Sequence, residues 1–457
     1  MTAETLAILG VTGDLAGRYL LPALATLQAE DLLPPDLEII GVGREDWTDE
    51  RFQEHTAERL SRAGSELTPA AAQAFGERLN YESADVTDQA ALEAVFAGQV
   101  DAGTPVIAYL ALPHAVFAGA VDALAGVGLP AGSRLVVEKP FGQSEETARR
   151  LNEKVLTVVP EDHVFRVDHF LAKQTVYNVL GLRFANRVFE PLWNSLHVER
   201  VDVVWDETIA LAGRAGYYDK AGALQDMLQN HLLQLMSLVA MEPPTSLHEN
   251  DLRDRKIDLL RAVRTLTPED VARDAVRGRY TAGSVDGHNV PSYVDEPGVD
   301  AARGTETFAQ VTLHVDNWRW SGVPFTLRSG KALGVGRREI CLRFRPVPHL
   351  TFGADQPGTS NELRLSLDPD RVSLGVNFNG IGDPFDVEPA ELATSLAPAA
   401  LPPYSQVLLA ALAGDAALSI RGDEAEESWR IIDPILAAWR AGAAPLLDYP
   451  AGSAGPV

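Results

Sequence analysis

Along the first 170 residues, short apolar runs alternate with longer stretches whose apolar residues recur at helical spacing. The runs over 6–9, 37–42 and 104–112 are apolar at most positions, which predicts strands covered on both faces. Further strands are predicted over 79–84, 134–138 and 164–167, with one helix after Gly17 through about Ala29 and helical, polar chain over 48–78. Strands and helices in alternation predict a doubly wound α/β domain over residues 1–168. Beyond that point the pattern changes. Residues 198–205, 309–317, 340–345 and 363–367 alternate apolar with polar, and fewer helical stretches separate them. This predicts an α+β domain over 169–457 built on a mixed, mainly antiparallel sheet. A long loop is expected over 281–305, irregular chain over 392–405, and a loose tail after Tyr449.

Charge narrows the functional classes. A net charge of −25 argues against a nucleic-acid groove and against an anionic membrane surface. An anionic substrate therefore needs a local pocket of positive charge. The lone Cys341 excludes an internal disulfide and suits a reducing, cytoplasmic compartment. Neither a signal peptide nor a membrane span is expected, and no metal is expected. There are only six lysines against many arginines, and Lys139, Lys173 and Lys331 each fall in a motif. A retained lysine marks a place suited to a compact point charge.

The chemistry-bearing stretches lie where strands end. Gly10-Val11-Thr12-Gly13-Asp14-Leu15-Ala16-Gly17 follows the first strand and opens a helix, the arrangement that carries a dinucleotide pyrophosphate on a helix N-terminus. The second strand runs into Arg44, which with Thr12 would bind the 2′-phosphate of NADP. Glu45 and Asp46 would instead serve the free ribose of NAD. The fourth strand ends at Leu112-Pro113, and the fifth at Glu138-Lys139-Pro140. Arg166-Val167-Asp168-His169-Phe170-Leu171-Ala172-Lys173 sets a carboxylate, an imidazole and an ammonium within six residues, groups that are costly to bury unless partnered. In the helix over 224–234, leucines lie between Asp226, Asn230 and His231, so the helix is expected to be enclosed. Residues 323–331 read as a strand ending in a turn with the cations Arg328 and Lys331.

Taken together, these stretches resemble the glucose-6-phosphate dehydrogenase family over nearly the whole chain. The strongest are Gly13-Asp14-Leu15-Ala16, Tyr109-Leu110-Ala111-Leu112-Pro113, Glu138-Lys139-Pro140-Phe141-Gly142, Arg166-Val167-Asp168-His169, Gln229-Asn230-His231-Leu232-Leu233-Gln234 and Leu327-Arg328-Ser329-Gly330-Lys331. The resemblance implies that His231 is the base for the sugar C1 hydroxyl and that Asp168 pairs with it. It implies that His169 and Lys173 grip a 6-phosphate, and that Lys139, Glu207, Asp226, Lys331 and Arg337 contact substrate. Gly10, Thr12, Gly13, Asp14, Leu15, Arg44, Leu112, Pro113 and Lys139 would line the cofactor, NADP with NAD possible. It also implies a hexose phosphate substrate and a homodimer or dimer of dimers.

The chain departs from the family at several positions. Phe170 replaces a tyrosine whose hydroxyl would reach the phosphate, Gly17 stands where a basic residue is usual, and Gln225 replaces an arginine. His114 replaces a proline, and Thr359 stands where a glutamine is expected. Two alternatives therefore remain at this stage: a dehydrogenase of another hexose (amino-, sulfo- or unphosphorylated), and a non-catalytic nucleotide-binding relative.

Overall fold

The computed structural model describes residues 4–62, 68–171, 174–211, 213, 215–352, 360–380, 382–383, 385–397 and 399–456. The chain divides into two compact units. The first holds Met1–Lys173, Thr245–Arg253 and Ala399–Glu426; the second holds Gln174–Pro244, Asp254–Pro398 and Glu427–Val457.

In the first unit six strands form one parallel sheet: β1 (Thr5–Leu9), β2 (Glu38–Gly43), β3 (Leu79–Ser83), β4 (Val106–Leu110), β5 (Arg134–Glu138) and β6 (Val164–Val167). Their order is β3-β2-β1-β4-β5-β6, and the chain reverses direction across the sheet at β1, between β2 and β4. Every residue of β1 is buried, as the apolar run predicts for a central strand with helices on both faces. Helix α1 (Leu21–Ala29) and helix α2 (Asp49–Arg62) cover one face, with Leu24, Leu27, Phe52 and Leu60 in the core. A distant part of the chain completes this unit. Leu408 and Ala411, from the helix Pro403–Ala413, enter the same core, and Ser405 Oγ donates to the Ala23 carbonyl. The sequence places 399–426 with the second domain; its contacts place it here.

The second unit is built on a nine-stranded sheet. Its members are β7 (Val198–Asp206), β8 (Ala275–Thr281), β11 (Phe308–His314), β12 (Pro324–Gly330), β13 (Arg337–Phe344), β14 (Glu362–Leu367), β15 (Asp370–Asn379), β16 (Val387–Ser395) and β17 (Leu446–Pro450). The short strands β9 (Gly283–Val285) and β10 (His288–Val290) form a separate hairpin. The sheet order is β16-β15-β14-β13-β7-β12-β11-β8-β17; β7 runs parallel to β12 and β8 to β17, and the other pairs are antiparallel. The mixed sheet is thus the expected one.

Three local expectations are corrected. Residues 281–305 are not one long loop, because they hold the β9–β10 hairpin and two short 3-10 turns, Tyr293–Asp295 and Ala301–Arg303. Strand β16 runs into the stretch expected to be irregular, and a helix starts at Pro403, where proline suits a first turn. The tail is also anchored. The Gly452 N–H donates to the Ala332 carbonyl at 2.8 Å, and the Gly334 N–H to the Ser453 carbonyl at 2.8 Å. Among the described residues, no helix is long and apolar enough to cross a membrane.

Candidate active site

The turn after β1 is set by backbone geometry. Gly10 has φ +87°, and its N–H donates to the Val42 carbonyl at 2.8 Å. A Cβ there would lie 2.6 Å from the Ala111 carbonyl oxygen and 2.9 Å from Leu112 Cδ2, so only glycine lets the turn sit this close to the end of β4. The Gly13 N–H closes the turn on the Gly10 carbonyl at 3.0 Å, and Gly17 bonds back to Gly13 at 3.1 Å. The next N–H groups of such a helix start lack intrahelical acceptors and face outward, which fits a pyrophosphate. Asp14 is exposed and paired with Arg18 at 2.8 Å, while Leu15 packs on the core. Leu112 stands against the turn, and Pro113 is exposed just before the helix His114–Val127.

At the end of β2, Arg44 and Glu45 are exposed. The Thr12 methyl and a Glu45 carboxylate oxygen come within 3.1 and 2.9 Å of where a Gly43 Cβ would stand. Thr12 and Glu45 thus lie together at the end of β2, with Arg44 next in the chain.

The ends of β5 and β6 carry a second cluster in this unit. Tyr109 Oη donates to Glu138 Oε1 at 2.6 Å, and the Tyr404 hydroxyl hydrogen-bonds the same carboxyl group. Glu138 keeps some surface exposure, but its carboxyl is enclosed, and burial pushes its pKa up to about 7. Lys139 follows on a cis peptide to Pro140. Asp168 is 3% exposed, and its Oδ1 accepts the Phe170 N–H at 2.9 Å. The His169 ring stacks on Tyr404 at 5.7 Å and meets Phe170 edge-on at 5.0 Å. Phe170 is therefore a buried wall beside His169. Tyr404, some 230 residues further on, was not legible as a site residue because its place depends on the return of the chain to this unit. Lys173 and Thr359 lie outside the described residues.

In the second unit, Leu224–Leu232 forms a π-helix, continued by the α-helix Leu233–Ala240. At about 100° per residue, Asp226 and His231 would stand about 140° apart on an α-helix. A π-helix bonds i to i+5, which brings these two residues to nearly one turn of separation and onto one side. The stretch is enclosed on all sides, leucines and polar residues alike: Asp226, Gln229, Asn230 and His231 are each no more than 6% exposed. Asn230 Nδ2 donates to the Gln225 carbonyl at 3.1 Å.

The start of that π-helix is fixed by a residue the sequence reading missed. Glu306 Oε1 accepts the Leu224 N–H at 3.0 Å. Gly222, at φ +67°, makes room for it, since a Cβ there would lie 2.3 Å from that same oxygen. Burial pushes the Glu306 pKa up to about 7. The other end is held by donors. Arg183 bonds the Leu238 and Met241 carbonyls at 3.0 and 2.8 Å, and Trp193 and Trp320 bond those of Val239 and Ala240 at 2.7 Å each. The carbonyls left over at a helix end are thereby satisfied without water.

Lys331 pairs with Glu207, and its ammonium lies 5.2 Å from the centre of the Tyr218 ring. The Tyr218 hydroxyl is pushed well above its ordinary pKa, by burial first and then by the charges of Asp226 and Glu306. Glu207, Asp226 and Lys331 thus gather around Tyr218. Arg337 has other partners: its guanidinium faces Glu339 at 3.5 Å and Asp206 at 4.0 Å, and Asp206 is bound to Arg328 at 2.9 Å. Adjacent strand residues point to opposite faces, which separates Asp206 from Glu207.

Residues 7–178 match the family model described as glucose-6-phosphate dehydrogenase, NAD binding domain, and residues 180–457 match the C-terminal domain of the same family. Glucose-6-phosphate 1-dehydrogenase of Zymomonas mobilis is 39% identical over 483 residues, covering 100% of this chain and 96% of that protein. The enzyme of the same name from Treponema pallidum is 38% identical over 474 residues, covering 99% and 92%. A crystal structure of glucose-6-phosphate 1-dehydrogenase from Mycobacterium avium superposes with a TM-score of 0.89 at 35% identity, covering 100% of this chain and 95% of that one. A glucose-6-phosphate dehydrogenase in complex with glucose 6-phosphate superposes with a TM-score of 0.90 at 30% identity, covering 100% and 96%.

Proposed function

Because this chain belongs to the glucose-6-phosphate dehydrogenase family, we propose that it oxidises glucose 6-phosphate at C1 to 6-phosphoglucono-1,5-lactone, with NADP as the hydride acceptor. The observation that carries this reading is the enclosed π-helix, which turns Asp226 and His231 to one side. A nicotinamide dinucleotide bound at the Gly10 turn supplies the acceptor for hydride. His231 takes the C1 hydroxyl proton, because an alcohol gives up hydride readily only as its proton leaves, and an imidazole is suited to that transfer. Asp168 is the carboxylate that orients this imidazole and stabilises its charged form. His169, its ring braced by Tyr404, and Lys173 hold the 6-phosphate; Glu207 and Asp226 read sugar hydroxyls. Lys331, held by Glu207, and Lys139, at the end of β5, supply positive charge to an anionic substrate. Arg337, whose guanidinium faces Glu339 and Asp206, adds a further positive charge beside Lys331.

NADP is favoured over NAD by Arg44 and Thr12 at the ribose edge. A competing observation is Glu45, whose carboxylate reaches the same edge and would accept a ribose 2′-hydroxyl. A cytoplasmic location is part of the same reading, supported by the free, buried Cys341. A homodimer is supported by the outer strands of the second unit, where Phe378 and Leu392 are each more than half exposed. Absorbance at 340 nm, with glucose 6-phosphate, glucose, glucosamine 6-phosphate and a sulfonated hexose each crossed with NADP⁺ and NAD⁺, tests the function. Turnover is expected to be fastest with glucose 6-phosphate and NADP⁺. A faster rate with another hexose would overturn the substrate, and no reduction with any pair would favour the non-catalytic reading.

A further inference from the structure

Gly17 has no side chain, and Arg59 occupies the space one would fill. Arg59 Cδ and Nε each lie 2.9 Å from where a Gly17 Cβ would stand. Gly17 belongs to the first turn after the dinucleotide turn, since its N–H bonds the Gly13 carbonyl. Arg59 is on α2, which starts beyond the end of β2, at the same edge as Arg44. Helical side chains lean toward their helix N-terminus, so Arg59 leans back toward that edge. Its Nε donates to His55 Nε2 at 3.3 Å, one turn nearer the edge. The His55 ring packs on Trp47 at 4.9 Å, and Trp47 packs on Tyr81, whose hydroxyl bonds the Glu45 carbonyl at 2.8 Å. Arg59 is therefore held by a chain of contacts that ends beside Arg44 and Thr12.

The charges point to an anion. Arg51, which lies over Trp47, is paired with Glu54 at 3.1 Å. Among the described residues neither Arg44 nor Arg59 has an ion-pair partner, in a chain of net charge −25. Arg44, which lies within electrostatic reach of the exposed Asp85, and Arg59, which is anchored on His55, offer guanidinium groups that match a phosphate monoester, for which arginine is the better ligand.

We propose that Arg59, held in place by His55, is a second cation selecting the 2′-phosphate of the nucleotide, together with Arg44. The proposal rests on the NADP reading above and deepens it. It also gives the basic residue missing at Gly17 a spatial replacement from another helix.

The test uses Arg59→Met in the full chain, which keeps an apolar stem over Gly17 and removes the charge. Binding of 2′,5′-ADP and of 5′-AMP is measured by calorimetry, KM for NADP⁺ and NAD⁺ is measured with glucose 6-phosphate, and melting temperature checks the fold. Affinity for 2′,5′-ADP is expected to fall roughly tenfold or more, as for loss of one hydrogen bond to a charged group. Affinity for 5′-AMP should change by less than about twofold, and kcat should hold. Equal weakening of both ligands, or of neither, would overturn the role of Arg59 while leaving wild-type discrimination intact. Wild-type protein that binds both ligands equally would overturn the NADP reading and this proposal with it.

Discussion

Glu306 shows how one residue can serve the site at a cost to the fold. Its carboxyl is enclosed, bonded to the Leu224 N–H, and raised from the ordinary 4.5 to about 7 by burial. Between those two values the folded chain keeps a proton that the unfolded chain has lost. Stability therefore falls as pH rises through that window, and the full penalty stands above about pH 7. Glu306→Gln keeps an oxygen for the Leu224 N–H and removes the ionisation. Thermal melts should show no gain for this variant near pH 4 and a growing gain up to neutral pH, on the order of 3 kcal/mol at most. A gain of equal size at every pH would mean that the carboxyl is not the cause. His231 is the counterpart among the residues proposed to act on the sugar. Replacing it by Asn should lower kcat by roughly 10²- to 10⁴-fold, the usual worth of a positioned base. KM for glucose 6-phosphate should move little, which steady-state kinetics would reveal; an undiminished kcat would remove His231 from the chemistry.

At the scale of the element, the helix carrying His231 is held at both ends. Glu306 binds the start, and Arg183, Trp193 and Trp320 bind the carbonyls at the finish. The π turn between is an unusual conformation, and neighbouring contacts must hold it in preference to an ordinary helix. Trp193→Phe would leave the Val239 carbonyl unbonded in a buried place, at a cost of about 1–3 kcal/mol. Urea unfolding should show this loss, and kcat should fall with it if the helix end helps to set the His231 imidazole. The same scale explains what the sequence pattern did and did not reveal. The enclosure of 224–234 followed from leucines placed between polar residues, because no solvated face remained. The π turn did not follow, because it depends on Gly222 and on Glu306, which lies 75 or more residues along the chain. Arg59 was hidden for a similar reason: at helical spacing it is one more polar position on α2, and only the missing side chain at Gly17 gives it meaning.

For the whole molecule, the chain returns late to its first unit. Residues 399–426 bring Leu408 and Ala411 into the core beneath α1 and put Tyr404 against His169 and Glu138. Leu408 is 1% exposed, so Leu408→Ala should cost about 2–5 kcal/mol. Calorimetric melting should show the loss, and nucleotide bound at the Gly10 turn should recover part of it, since a ligand of the folded state stabilises it. Recovery by glucose 6-phosphate alone would place the damage elsewhere.

The sequence by itself determined the local and repetitive features. Apolar runs gave the parallel strands, because a strand covered on both faces has no polar side to show. The glycine turn, the strand-end charges and the motif order gave the dinucleotide-binding domain and the family. These signals are carried within a few residues of one another. The tertiary structure alone decided which distant residues complete each cluster: Tyr404 at His169, Glu306 at the π-helix, Arg59 at Gly17, and Arg337 at Asp206. Those pairings join residues far apart in the chain, and burial and hydrogen bonding between such residues leave no periodic trace in the order of amino acids.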